Sequence, residues 1–460
     1  GEAKTKISFF KSVYRKYTNF SMESKRLEID SALLTENFDV TDKKCTIPRN
    51  GDLLSEIFFC FELPNIYSGK YSSTGNAPFY NYEFQWIKNI GTNIIDEVSI
   101  NIGGNKIDKL YGEWMNIWAE LHMDSNQKTN FDNMIGNIPE LYDPKNSPGQ
   151  NGVYPNITSG TEYKTQADKY SNTYNIIDIN DVNTEITLPS IRKRTLKVPL
   201  LFWFGRNKGL ALPLIALQYS KVELSFKFKS ATKLFTIIET DSTKTFHKKR
   251  IVPNTDNHNS LANFIKDSSM VSNTINNGVN VRNLNFLDIK PYVEANYIFL
   301  DRDERNRFAK DEHVYLIDQV VRNDFKGVTA TKKHTLRFNH PVKYLCWVGK
   351  RSDISERNDW NNYTNWIYPN IAPYSKSYKY QQMFGSKTTS NNPFYTVNDS
   401  DQELNFNSEY LEKNILKKVA LHFNGQFRIN SKEADFFSNA QTFQYFNKKK
   451  VEDGIYVYSF

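Results

Sequence analysis

The chain has 460 residues, with 59 Lys and Arg against 51 Asp and Glu, a net charge of +8, and 7 Trp, 27 Tyr and 32 Phe. That aromatic loading excludes a disordered polymer, and no run reaches the roughly 18 uninterrupted apolar residues of a membrane-spanning helix: residues 198–219 are cut by Arg206, Asn207 and Lys208. The basic residues are dispersed rather than gathered in a tract, so no sequence-specific nucleic-acid partner is expected, and Cys45, Cys60 and Cys346 without a C-x-x-C pair fit a reducing compartment.

Helical periodicity is scarce along the chain, whereas two-residue alternation recurs between Asn-, Gly-, Ser- and Pro-rich stretches, as in antiparallel strands covered on one face. Strands are predicted at 56–63, 98–102, 222–228, 292–300, 314–321, 335–338, 342–348, 419–423 and 454–460. The clearest is 222–228, where Val222, Leu224, Phe226 and Phe228 point one way and Glu223, Ser225 and Lys227 the other. Asn424-Gly425 is a favoured hairpin dipeptide, because both residues tolerate positive φ. An apolar run ending at Phe460 leads to the expectation that the natural polypeptide continues.

Helices are predicted at 111–123, 301–310 and 431–437. In the first, Trp114, Ile117, Trp118 and Leu121 fall at i, i+3, i+4 and i+7 and make an apolar stripe, expected to plug one end of the first sandwich. The second opens on acidic residues suited to a helix start. Residues 124–187 and 352–407 read as long displayed loops, and 230–285 as an irregular junction. The periodicity therefore predicts two β-sandwiches in tandem.

Candidate chemistry is thin. None of the seven histidines lies in an H-E-x-x-H motif, and His334 and His340, six apart on extended chain, lack a third ligand, so no metal or cofactor site is assigned. Asp301, Asp303 and Glu304 resemble a paired-carboxylate site less than a helix start, so no catalytic residues are assigned. Sequons place candidate glycosylation at Asn156, Asn362 and Asn398, in the long loops. Arg206 is a minor candidate for binding, and Lys11, Arg15 and Lys16 form a basic segment that could face a membrane or underlying proteins.

Four blocks carry a resemblance: 11–23; 47–54 around Asn50-Gly51; 102–118, with Gly103-Gly104-Asn105 and Trp114; and 199–219, with Phe202-Trp203-Phe204-Gly205. In this order they resemble the major capsid proteins of nucleocytoplasmic large DNA viruses, with 292–301 and 420–428 similar further on. The resemblance implies an all-β chain of two consecutive eight-stranded antiparallel jelly rolls, placed at 1–229 and 286–460 about the junction 230–285. It further implies a homotrimeric, pseudo-hexagonal capsomer tiling an icosahedral shell, without cofactors, in the virion capsid after assembly in the host cytoplasm. Its implied partners are neighbouring capsomers, minor capsid proteins and an inner viral membrane, the last two contacted through Lys11, Arg15 and Lys16. A minor capsid or penton relative, and a carbohydrate-binding β-sandwich using Trp360, Trp366 and Tyr368, are the alternatives.

Overall fold

The computed structural model describes residues 19–29, 33–35, 39–66, 70–71, 80–81, 83–150, 152, 154–155, 189–238, 250–251, 261, 264–265, 286–366, 369, 395–397, 404–406, 412–446 and 451–460. It is mostly β, with antiparallel sheets. Eight of the described strands build an N-terminal body: β1 (Phe20–Glu28), β2 (Val40–Ile47), β3 (Leu53–Leu63), β4 (Ile95–Ile102), β5 (Asn105–Tyr111), β6 (Arg194–Pro199), β7 (Val222–Phe228) and β8 (Tyr292–Leu300). They form two four-stranded sheets, ordered β1-β8-β3-β6 and β2-β7-β4-β5.

The alternation that marks β7 becomes its burial pattern, with Val222, Leu224, Phe226 and Phe228 all inside. Phe59 of β3 crosses to the opposite sheet, its ring 5.3 Å from those of both Phe226 and Phe228. Each such ring contributes about 1.5–3 kcal/mol by leaving water, so this layer of side chains fixes the two sheets face to face.

β8 corrects the expected division. It pairs with β1 from Phe20↔Leu300 to Glu28↔Tyr292 and with β3 on its other side, so it is an interior strand of the first body. The expectation of a second body opening at residue 286 therefore fails: the backbone groups of β1 and β3 that face one another's direction find their partners in β8.

α1 (Gly112–His122) follows β5 directly, and α2 (Ser125–Ile135) follows α1. Part of the stretch expected as loop 124–187 is thus helical: Asp124 accepts the Gln127 N–H, Gln127 accepts the Asp124 N–H in return, and Gly136 closes the helix at φ 78°. Phe131 and Ile135 of α2 enter the main core.

Beyond β8, α3 (Arg302–Lys310) leads into residues 311–343, which run extended without ladder partners among the described residues. The strands expected at 314–321 and 335–338 are therefore not formed as sheet among the described residues; inward and outward alternation appears from Val314 to Ile317, while residues 335–338 are exposed throughout. β9 (Tyr344–Val348) pairs with β12 (Ile455–Ser459), and β10 (Lys418–Phe423) pairs with β11 (Gln426–Glu433) about Asn424 (φ 50°) and Gly425 (φ 83°). The helix expected at 431–437 starts later, because β11 extends to Glu433; a π-helical turn at Phe436–Ala440 then continues as helix Gln441–Tyr445. Residues 352–366, expected as part of a displayed loop, pack on the N-terminal body: Asn358 Nδ2 donates to the carbonyls of Thr232 and Phe235 at 2.6 and 2.9 Å, and Trp360 Nε1 to that of Lys233 at 2.9 Å.

Candidate functional site

The N-terminal body and residues 302–460 meet along a packed seam, and α1 forms its wedge. Met115 and Ala119 face the main core, while Ile117 and Leu121 join Tyr363, Val451, Ile455 and Val457 in a second cluster. The Trp114, Ile117, Trp118 and Leu121 stripe is thus apolar as expected but is divided between two bodies: Trp118 packs against the main core, Trp114 touches both clusters, and Ile117 and Leu121 face the C-terminal body.

Aromatic rings continue this contact. Trp118 stacks on His122 at 4.6 Å, and Tyr344 of β9 lies 6.2 Å from Trp114, 5.8 Å from His122 and 5.4 Å from Phe446. His122 Nδ1 lies 3.1 Å from the Trp118 carbonyl, and burial lowers the imidazole to about 4, so the ring is neutral at physiological pH. Polar clamps flank the rings: Lys350 pairs with Glu113, and Arg351 and Arg357 both hold Asp353. Burial alone would raise Asp353, but the two guanidiniums overcome it and bring the carboxyl to about 2.

Arg206 lies at this seam. Its Nε donates to the Leu201 carbonyl at 2.7 Å, its guanidinium lies 5.5 Å from the Trp118 ring, and Asp318 is 3.9 Å away. Asp301 caps α3 through the Arg302 N–H at 2.7 Å, with Asp303 and Glu304 in the first turn, the arrangement expected from their positions. His334 packs on Phe325, 4.0 Å between ring centroids. Among the described residues, no group of three His, Cys, Asp or Glu side chains is placed to hold a metal ion.

Asn362 corrects the outward-glycan expectation. It is buried, its Nδ2 donates to the Trp366 carbonyl at 2.9 Å, and its Oδ1 accepts from the Thr364 N–H at 3.0 Å. The sequon is spent on its own turn, leaving no exposed amide for an oligosaccharide. Asn156, Asn398, Lys11, Arg15, Lys16 and Tyr368 lie outside the described residues. Trp360 is packed against the main core rather than offered as a sugar platform, and Trp366 lies 5.0 Å from the Lys413 ammonium.

Sequence reasoning missed the outward row of the 311–343 segment, where Val314 and Leu316 are 87% and 92% exposed while Ile317 and Val320 pack against the main core. Alternation identified the row but not which side would be open.

Two β bodies packed against each other through an apolar wedge define a mostly antiparallel β protein. Its lineage follows from two matches: the family described as "Major capsid protein N-terminus" covers residues 8–301, and "Large eukaryotic DNA virus major capsid protein" covers residues 304–460. The chain belongs to this major capsid protein family of large eukaryotic DNA viruses. It is 33% identical over 348 residues to Capsid protein 1 of Acanthamoeba polyphaga mimivirus, covering 75% of this chain and 45% of the relative. To the major capsid protein of Phaeocystis pouchetii virus it is 31% identical over 349 residues, covering 74% and 54%. The chain thus spans about half the length of these curated relatives. Among solved structures, PBCV-1 VP54 fitted into a reconstruction of the virophage Sputnik has a TM-score of 0.55 at 22% identity, covering 98% of this chain and 80% of that one. The Faustovirus major capsid protein has a TM-score of 0.53 at 12% identity, covering 99% and 85%.

Proposed function

We propose that the chain is a major capsid subunit of a large double-stranded DNA virus, a structural component of the virion shell and not an enzyme. The observation that supports this reading is the strand order of the N-terminal body: eight strands divided between two facing sheets, with the last inserted between the first and third, the order that a first jelly roll would have. The first roll then runs from β1 to β8, and residues from α3 onward supply a second, of which β9 to β12 are part.

Three such subunits about a threefold axis present six similar bodies, so a nearly hexagonal capsomer follows from a threefold ring, and hexagonal tiling from the capsomer. The α1 wedge supports this role because a shell subunit has to hold its two bodies at a fixed angle. Neighbouring capsomers, minor capsid proteins and an inner viral membrane are the proposed partners, the membrane or minor proteins through Lys11, Arg15 and Lys16, with assembly in the host cytoplasm. Asn156 and Asn398 remain the proposed glycan positions.

Native mass spectrometry of the purified chain tests the reading. A species of three times the monomer mass is expected, with sixfold-looking particles in negative stain; a monomer that never associates at micromolar concentration would overturn the homotrimer. Reversing charge at Lys11, Arg15 and Lys16 is expected to impair particle assembly, and normal particles would overturn their inner-face role.

A further inference from the structure

We propose that Asp108 is a pH-gated anchor that holds the extended strap 311–343 against the N-terminal body more firmly in mild acid than at neutral pH. Asp108 sits on β5 and is only 4% exposed. Its Oδ1 accepts the Lys109 N–H at 2.8 Å, and its Oδ2 is buried with no well-formed hydrogen bond among the described residues, although the Val320 N–H of the strap acts on the carboxyl. The strap passes over it at Val320 and is tied down on both sides of that residue. Tyr315 donates to the Ala211 carbonyl at 3.3 Å, Gln319 Nε2 to the Ile107 carbonyl at 2.6 Å, and the Arg322 guanidinium covers the Tyr111 ring at 5.0 Å.

Among the described residues, no cation forms an ion pair with this carboxyl. From the turn at Trp203–Arg206, Arg206 is engaged by the Leu201 carbonyl and lies 3.9 Å from Asp318. From the strap, Asp318 adds like charge and is itself held by Lys343 at 3.2 Å. On β5, the Lys109 ammonium is committed to Glu97 at 3.5 Å. Backbone N–H groups of Lys109 and Val320, and the more distant Arg206 charge, favour the ionised form, yet burial outweighs them and pushes the carboxyl up to about 6.

The sign follows from linkage. With the strap lifted, water reaches Asp108 and its affinity for a proton falls to that of an ordinary carboxyl near 3.8. The closed strap therefore binds the proton more tightly, and closure strengthens as pH falls through 6 toward 3.8. Between about pH 7.5 and about pH 5 the closed-to-open ratio should rise about tenfold. His122 works in the opposite direction, because its neutral form is the one favoured by burial. Whole-protein melting would blend the two trends, so a local measurement is needed.

Hydrogen exchange of strap amides 315–322 in the full chain, corrected for the intrinsic pH dependence of exchange, reads the opening directly. Expected are about tenfold greater protection at the lower pH in the wild type, high and pH-independent protection in Asp108→Asn, and β7 amides that do not follow the strap. Wild-type strap protection that is flat across this range overturns the proposal. So does an Asp108→Asn chain that keeps the wild-type slope. The wild-type profile alone decides the matter if the variant fails to fold. The inference does not depend on the capsid reading and survives if the chain proves monomeric.

Discussion

Asp52 and Arg305 stand 253 positions apart, and the Arg305 Nε and Nη2 groups donate to one Asp52 carboxylate oxygen at 3.1 and 3.0 Å. The same oxygen accepts the Leu300 N–H at 2.8 Å, so one buried acid at the start of β3 fixes both the end of β8 and the first turn of α3. Replacing Arg305 by Met leaves Asp52 with its backbone partner alone. A loss of about 1–3 kcal/mol is expected in urea denaturation, and an unchanged midpoint would mean that the pair contributes nothing.

Gly112 opens α1 where a β-carbon would lie 2.0 Å from the Thr92 carbonyl oxygen and 2.3 Å from that of Ile95. Both obstacles are backbone and cannot rotate away. Gly112→Ala is therefore expected to cost at least about 3 kcal/mol or to abolish soluble expression, whereas Gly205→Ala, whose nearest neighbour would be at 3.4 Å, should fold normally. Equal behaviour of the two variants would contradict the close approach.

Leu121 is 1% exposed in the cluster with Val451, Ile455 and Val457. Truncation to Ala should cost about 2–4 kcal/mol and accelerate hydrogen exchange in β12 first. Loss of protection confined to the N-terminal sheets would place the stripe on the wrong body.

His122 should remain uncharged until well below its ordinary range, since burial lowers it to about 4. A depressed folded value makes this group's share of stability complete above about 6.5 and lost as pH falls toward 4. Its ring proton resonances are expected to stay constant from about pH 8 to about pH 5.5; a midpoint near 6.5 would show a solvated ring.

Much of this architecture could be read from side-chain order because the relevant signals are local. The alternation of Val222, Leu224, Phe226 and Phe228, the spacing of Trp114 to Leu121, the Asp301 cap and the Asn424-Gly425 turn each act over fewer than about ten residues. The capping box from Asp124 to Gln127 was equally local, and was obscured by the polar composition around it. What sequence order could not convey was the partner of each strand. Tyr292–Leu300 reads as a strand wherever it sits, and only the ladder decides that it belongs between β1 and β3. Similarly, the in-and-out pattern of Val314 to Val320 predicts a strand whether or not another lies beside it. Asn362 carries a sequon in either setting, and burial alone removes its availability.

The interior position of β8 also bears on synthesis. While the ribosome extends the nascent polypeptide, β1 and β3 emerge early with an unfilled slot between them; the Ser55 hydroxyl, for instance, bonds to a carbonyl at Asn296, 241 positions later. The N-terminal sheet cannot close until that distant stretch has left the exit tunnel. Such long-range closure is slow and exposes unpaired edges meanwhile, so recombinant production should respond to slower translation or added chaperones, and truncation before residue 292 should yield aggregates rather than a smaller folded unit.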